Sequence, residues 1–383
     1  MLKYYNFKEL FKFTYLSLFK SKNQNRLNLT RFAYIFGFFL LYIPVEIINN
    51  ICFFLDKILF PRYQQITLKQ PIFIIANPRS GTTFLQRLLA QDESQLTSMR
   101  TWEIMFAPSI IQRKIFLFLK KIDIALGRPL VKITDAIKNF LHKRNMVHKH
   151  ALRAHEEDQY LMFHIWSSLT AWLTTGFFDE TDKYIYFDQK MSKKDKQRIM
   201  EFYLECLKRH MYVYGADKRY LAKNPTATPR IKTLLKYFPD AKFIYLVRDP
   251  LKMVPSYISL HQFGWRVLGN LKDEFTGNEH FIDLAKHWYQ YPLSVLKTLP
   301  DSRQVVIGFE QLVANADQTV RNIYQQLNLK ISPEFNQVLE SETAAARNYH
   351  SSHHYSLAEF GLTADQIKSE FSFVYEEFDF LEK

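Results

Sequence analysis

The sequence predicts a three-layer α/β fold: a central parallel sheet flanked by helices, a helical cap region, and an apolar helix at the amino terminus. Three observations point there. Pro71-Ile72-Phe73-Ile74-Ile75-Ala76 is an unbroken apolar run, the pattern of a strand covered on both faces. Asn77-Pro78 ends it, and Phe84, Leu85, Leu88 and Leu89 then recur at helical spacing. Phe243–Val247 and Val305–Ile307 repeat the strand pattern, with helical stretches at Ile231–Phe238 and Phe281–Leu296 between them. Alternation of this kind makes the strands parallel.

Taken in chain order, the first 31 residues carry Lys3, Lys8, Lys12, Lys20, Lys22, Arg26 and Arg31 against a single acid, Glu9. Phe32–Val45 follows, 14 residues without a charge, broken by Pro44 and closed by Glu46. Shorter apolar runs lie at Ile51–Leu55 and Ile58–Phe60. A spanning helix needs about 20 apolar residues. A signal peptide would be followed by small residues at a cleavage site, and none stand here. A basic segment leading into an aromatic-rich helix fits an interfacial anchor, placing residues 1–60 on a membrane surface. A helix packed on the catalytic domain, with its lysines solvated, is the alternative. The expected division is an amino-terminal segment, 1–62, and a catalytic domain, 70–383. Within the domain, 102–211 reads as helix and is expected to form a cap. Tyr220-Leu221-Ala222 reads as a further strand.

The 383 residues carry a formal net charge of +13, which suits an anionic partner. The basic residues are spread along the chain, and their densest cluster adjoins the apolar helix, which counts against a nucleic-acid surface. Cys52 and Cys206 make no disulfide framework, and no Cys/His cluster has zinc spacing, so the chain reads as reduced, cytoplasmic and metal-free.

The chemistry starts at Asn77-Pro78-Arg79-Ser80-Gly81-Thr82-Thr83. Backbone N–H groups at a helix start form an anion site, favoured by the helix dipole. Gly81 permits a tight turn and a close approach. Ser80, Thr82 and Thr83 add hydroxyl donors, and Arg79 adds a forked cation. The loop is P-loop-like, but a triphosphatase needs Gly-x-x-x-x-Gly-Lys-Ser/Thr, and no lysine precedes Thr82. A nucleotide kinase or NTPase is therefore the second reading. A plain Ser/Thr-rich helix cap is the bland one. Arg248-Asp249-Pro250 follows Phe243–Val247, with Ser256 eight residues after the arginine. An arginine at the carboxyl end of a parallel strand stands where open α/β sheets bind ligands; an Arg248–Asp249 pair is the alternative.

These residues resemble the PAPS-dependent sulfotransferases (PAPS is 3'-phosphoadenosine-5'-phosphosulfate). Pro71–Thr83 resembles their 5'-phosphosulfate loop, Phe243–Ser256 their 3'-phosphate motif, Lys223-Asn224-Pro225 their Lys-Asn-Pro segment, and Gly308-Phe309-Glu310-Gln311-Leu312 their Tyr-Glu-Asp-Leu segment. The resemblance runs from about Gln70 to Tyr375 and leans toward the branch related to tyrosylprotein sulfotransferases. Asn77 departs from the more usual glycine, and Gly308-Phe309 from a more usual Arg-Tyr.

The resemblance implies transfer of a sulfuryl group from PAPS to a hydroxyl or amine, leaving adenosine 3',5'-bisphosphate. It implies that Arg79, Ser80, Gly81, Thr82 and Thr83 hold the 5'-phosphosulfate, and that Arg248 and Ser256 hold the 3'-phosphate. Lys223 would lie near the transferring group, with Arg79 sharing the charge stabilisation. Glu103, in Thr101-Trp102-Glu103, is the expected base, and His155, in His155-Glu156-Glu157-Asp158, the second candidate. Arg347–His350 and His353–Ser356 are expected to fold over the nucleotide. The aromatic helical region suggests an apolar or lipid-like acceptor. A cytoplasmic, membrane-peripheral location follows, or the Golgi lumen for a eukaryotic chain.

Overall fold

The computed structural model describes residues 1–19, 27–129, 152–267, 277–346 and 356–378. The expected nucleotide-covering segments at 347–350 and 353–355 lie outside them.

The sheet has five strands, all parallel, in the order β2-β3-β1-β4-β5. They are β1 (Ile72–Ala76), β2 (Leu96–Thr97), β3 (Arg219–Lys223), β4 (Lys242–Val247) and β5 (Gln304–Gly308). All five residues of β1 are buried because β1 is central and both of its faces are covered. Its side chains divide by strand alternation. Phe73 and Ile75 join one core with Tyr220, Ala222, Phe243 and Tyr245. Ile72, Ile74 and Ala76 join a second core with Leu221, Ile244, Leu246 and Ile307. Helix α3 (Thr82–Leu89) covers the second face through Leu85, Leu88 and Leu89, together with Val320 and Ile323 of the helix Ala316–Gln326. The helices Lys193–Tyr214 and Asn278–Leu296 cover the first. Shortening Ile74 to alanine would cost about 2–5 kcal/mol, lost transfer energy plus a cavity.

The expected strands are all present. β2 escapes a pattern search because two residues cannot show a period. Among its described residues the expected helical region contains α4 (Thr101–Met105), α5 (Ile110–Ala125) and the long helix Lys193–Tyr214, with shorter helices such as Leu169–Thr175.

The amino terminus corrects one expectation. Instead of apolar pieces broken at Pro44, one helix, α2 (Leu29–Leu59), runs through the proline, after α1 (Phe7–Phe19). A proline inside a helix removes one backbone bond. Here the turns around it are pinned from outside. The Tyr42 hydroxyl donates to the Phe163 carbonyl at 2.9 Å, and the Glu46 carboxylate pairs with the His164 ring.

Because every strand points the same way, the segments after β1, β3, β4 and β5 emerge along one edge of the sheet. Register sets Ala76 beside Leu246 and Ile74 beside Lys223. That edge carries the loop 77–83, Lys223, Arg248 and Phe309.

Candidate active site

The loop after β1 turns through two left-handed residues, Arg79 at φ 68° and Gly81 at φ 83°. Gly81 is required twice. Its φ is costly for any side chain, and a Cβ there would lie 2.5 Å from the Phe309 ring. Gly81 caps α3, whose first N–H groups have no acceptor within the helix. Ser80 is fully buried, and its hydroxyl has no partner among the described residues. Asn77, where glycine is more usual, is accommodated: its side-chain amide donates to the Ala285 carbonyl at 3.3 Å and ties the loop to the helix Asn278–Leu296.

Arg248 and Ser256, far along the chain, close on this loop. The Arg79 Nε donates to the Ser256 Oγ at 3.0 Å. The Arg248 Nη1 donates to the Arg79 carbonyl at 2.6 Å. The Arg248 guanidinium also lies over the Phe309 ring, 4.4 Å from its centre. Asp249 is engaged elsewhere, accepting from the Tyr375 hydroxyl and the Leu251 N–H, each at 2.9 Å. The Arg248 Nε is buried and has no partner among the described residues. Burial lowers the Arg248 pKa, a penalty on its charged form that a bound anion would offset. A buried unpartnered hydroxyl and a buried unpartnered guanidinium N–H converging on one short loop fit a phosphorylated ligand.

Lys223 ends β3 and is 1% exposed. Its Nζ lies 2.6 Å from the Glu157 Oε1 and 3.9 Å from the Glu156 Oε1. The neighbouring Asp158 accepts from Tyr203, from the Asn224 amide at 2.8 Å and from the Tyr220 hydroxyl at 3.1 Å. Burial pushes its carboxyl up to about 6 in spite of those donors. Gln86 of α3 donates to the Glu156 carbonyl at 3.3 Å, which holds the acidic run beside α3.

Glu103 and His155 have other partners. Burial pushes the Glu103 carboxyl up, but nearby His210, the Arg113 charge and the Arg100 N–H outweigh it and hold it down at about 2. The distances are 3.6 Å to His210 Nδ1, 3.5 Å to Arg113 Nε and 2.7 Å to Arg100 N. Burial lowers the His210 pKa as well. His155 is bonded through Nδ1 to Ser98 Oγ at 2.6 Å. Both residues line a cavity of ≈150 Å³ with Ala90, Glu93, Leu96, Tyr214 and Lys218. Leu96 begins β2, and Lys218 precedes β3, so this cavity reaches toward the amino ends of the strands. Lys223, Arg248 and the loop sit at their carboxyl ends.

The structure thus gathers Arg79, Ser80, Gly81, Thr82, Thr83, Lys223, Arg248 and Ser256 at one edge. It adds two residues to which sequence reasoning gives no role. Phe309 is visible there only as a departure from the Arg-Tyr pattern, and Glu157 only as one acid in a charged run.

Comparison with known proteins bears on the family and the fold. A sequence model of the sulfotransferase family matches residues 71–333. The omega-hydroxy-beta-dihydromenaquinone-9 sulfotransferases Stf3 of Mycobacterium bovis and Mycobacterium tuberculosis are each 26% identical over 310 residues, 76% of this chain and 72% of theirs. Sulfotransferase STF9 of Mycobacterium avium superposes with a TM-score of 0.66 at 19% identity, over 85% of this chain and 81% of its own. Sulfotransferase STF1 of Mycobacterium tuberculosis does so with 0.63 at 20%, over 87% and 84%. These two share the fold. With the family model spanning more than half the chain, the protein belongs to the sulfotransferase family and is an enzyme of sulfuryl transfer.

Proposed function

We propose that this enzyme transfers a sulfuryl group from PAPS to a hydroxyl of an apolar, lipid-like acceptor. The observation that carries the donor is the bonding of Arg79 to both Ser256 and Arg248, together with an unpartnered Ser80 hydroxyl in the same loop and an unpartnered Arg248 Nε. Arg79 and the N–H groups of residues 80–83 would hold the 5'-phosphosulfate, and Arg248 with Ser256 the 3'-phosphate. The acceptor class is supported by the two relatives at 26% identity, whose names give a hydroxylated menaquinone as substrate.

In the proposed reaction the acceptor oxygen forms a bond to sulfur. The bond from sulfur to the 5'-phosphate oxygen breaks, and its electron pair leaves with adenosine 3',5'-bisphosphate. Lys223 and Arg79 stabilise charge on the leaving oxygen and the sulfuryl oxygens. Glu157, held at Lys223, takes the acceptor proton. Glu103 and His155 are the bases that the sequence suggests; Glu103 lies beside Arg113 and His210, and His155 is bonded to Ser98. The family resemblance still makes them the comparison for any test of Glu157.

We further propose that residues 1–60 hold the enzyme on a membrane surface, where such an acceptor resides. The two free, buried cysteines suit a reduced compartment and hence the cytoplasmic side.

A thermal-shift titration with adenosine 3',5'-bisphosphate, PAPS, ATP with magnesium and an oligonucleotide tests the donor. A shift with the first two and not the others is expected. Arg79→Ala and Arg248→Ala should each weaken binding about 10–100-fold, as loss of a charge-assisted bond predicts. Binding undiminished in both variants would sink the donor-site assignment. Labelled sulfate from PAPS should appear in the lipid fraction of a membrane extract.

A further inference from the structure

We infer that α2, together with the outer faces of α1 and α5, forms a docking surface that lies in the plane of one anionic lipid leaflet and does not cross the bilayer. This rests on the membrane-surface reading above and specifies its geometry.

The first observation is that α2 is built inside out. Its polar residues Arg31, Glu46, Asn49 and Asp56 are the buried ones. Its outward residues are apolar: Phe36, Leu40, Leu41, Ile47, Ile51 and Phe54 are each more than half exposed. From Phe32 to Leu55 the only charged residue is Glu46, and it faces inward. A surface helix of a water-soluble protein shows the opposite polarity. α5 repeats the inversion. Gln112, Arg113 and Asp123 are buried, while Phe116, Phe118, Leu119 and Ile122 are exposed. On α1, Glu9 is buried and Phe7, Phe11, Tyr15 and Phe19 are exposed.

The second observation is that the inward stripe is fastened to the domain along nearly its whole length. The Arg31 guanidinium lies 5.6 Å from the centre of the Phe177 ring. Tyr42 reaches Phe163, and Glu46 reaches His164. Gln112 donates to the Asn49 Oδ1 at 2.7 Å. Asp56 accepts from Arg209 Nε at 2.9 Å and from the first N–H groups of α5 at 2.9 and 3.0 Å. From Arg31 to Asp56 a helix rises about 37 Å, more than the roughly 30 Å hydrocarbon core. A crossing helix could not keep both ends of that stripe on one domain. Length and composition alone admit a span; the fastenings exclude it while the fold is kept.

The third observation is charge. Exposed Lys57 and Arg62 flank the carboxyl end of α2, and exposed Lys114, Lys120, Lys121 and Arg128 fringe the apolar face of α5. Cations around an apolar face match anionic headgroups around hydrocarbon. A second copy of the chain would bring the same cations together, which disfavours self-association as the use of this surface.

The test is flotation of the full chain with sealed vesicles of phosphatidylcholine, with and without phosphatidylglycerol. Binding that needs the anionic lipid and weakens with salt is expected. Phe36→Glu, Leu40→Glu and Ile47→Glu combined should lower partitioning by at least about tenfold, with an unchanged melting temperature and an unchanged shift with adenosine 3',5'-bisphosphate. Lys8→Cys and Arg62→Cys, labelled from outside the vesicles with a bulky maleimide, should both react. A protected Lys8→Cys beside a reactive Arg62→Cys would show that α2 crosses, overturning the in-plane geometry while leaving membrane binding intact. A chain that ignores anionic vesicles and dimerises through this face would overturn the membrane reading itself. The nucleotide shift reports on the donor site independently of both.

Discussion

Lys223 and Glu157 form an ion pair of 2.6 Å at the carboxyl end of β3, with the lysine almost wholly enclosed. Each side chain gives the other a reason to be charged away from water. If Glu157 is the base, Glu157→Gln should lower kcat by about 10²–10⁴-fold and leave the affinity for adenosine 3',5'-bisphosphate within a few-fold. Lys223→Met should also lower kcat, and the double variant should be little worse than the worse single one, since the two act as a unit. Steady-state kinetics with a nucleotide titration checks this. Full turnover by Glu157→Gln would return the role to Glu103 or His155.

Gly81 and Phe309 touch across the site, although they are far apart in sequence. Gly81→Ala would place a methyl 2.5 Å from the Phe309 ring and force a side chain to φ 83°. Donor binding should fall by at least about tenfold, given a strain of about 1–3 kcal/mol at a left-handed position. Adding Phe309→Ala removes the collision but leaves the strained φ, so it should restore only part of the loss. It also takes the ring from under Arg248. Isothermal titration with adenosine 3',5'-bisphosphate measures both steps; complete rescue would show that the ring contact alone made glycine necessary.

The tight loop at 77–83, the strand–helix alternation and the Arg248–Ser256 spacing are legible in the sequence because each is local: a run, a breaker and a spacing. Glu157 is not, because its meaning comes from Lys223, which lies 66 residues away. Glu103 is the complementary case. Its place after the first helix matches a family position, but only the fold shows Arg113 and His210 closing on it. α2 looks fragmented in the sequence because Pro44 and Glu46 resemble breaks. In three dimensions Glu46 is a fastening point, and the helix passes the proline between two of them.

Glu103 should therefore behave as a stability residue. Its carboxyl is held at about 2, below its ordinary 4.5, so it releases its proton more readily when folded. That contribution is present above pH about 4.5 and is lost as pH falls toward 2. Glu103→Gln should cost about 3 kcal/mol at neutral pH by leaving Arg113 without its charge partner, and the deficit should shrink below pH 4.5. Chemical denaturation across that window checks it. At a temperature where the variant is folded, kcat should stay within about tenfold of the parent, short of the loss that removing a base entails.

Asp158 has the opposite sign. Burial raises its carboxyl from 3.8 to about 6, so the folded protein binds this proton more tightly than the unfolded chain does. The stabilisation is fully present below pH about 3.8 and is lost as pH rises through 6. A rise of that size corresponds to about 3 kcal/mol. Denaturation of the parent should therefore show a loss of stability between pH 3.8 and 6 that Asp158→Asn lacks. The amide oxygen can still accept from Tyr203 and Tyr220, but its NH₂ faces the Asn224 amide that donates to the native carboxylate. Asn224 adjoins Lys223, so this conflict should displace the lysine and lower kcat even at a pH where the stabilities match. If Asp158→Asn kept the parent's pH step, the buried carboxyl would not be its source.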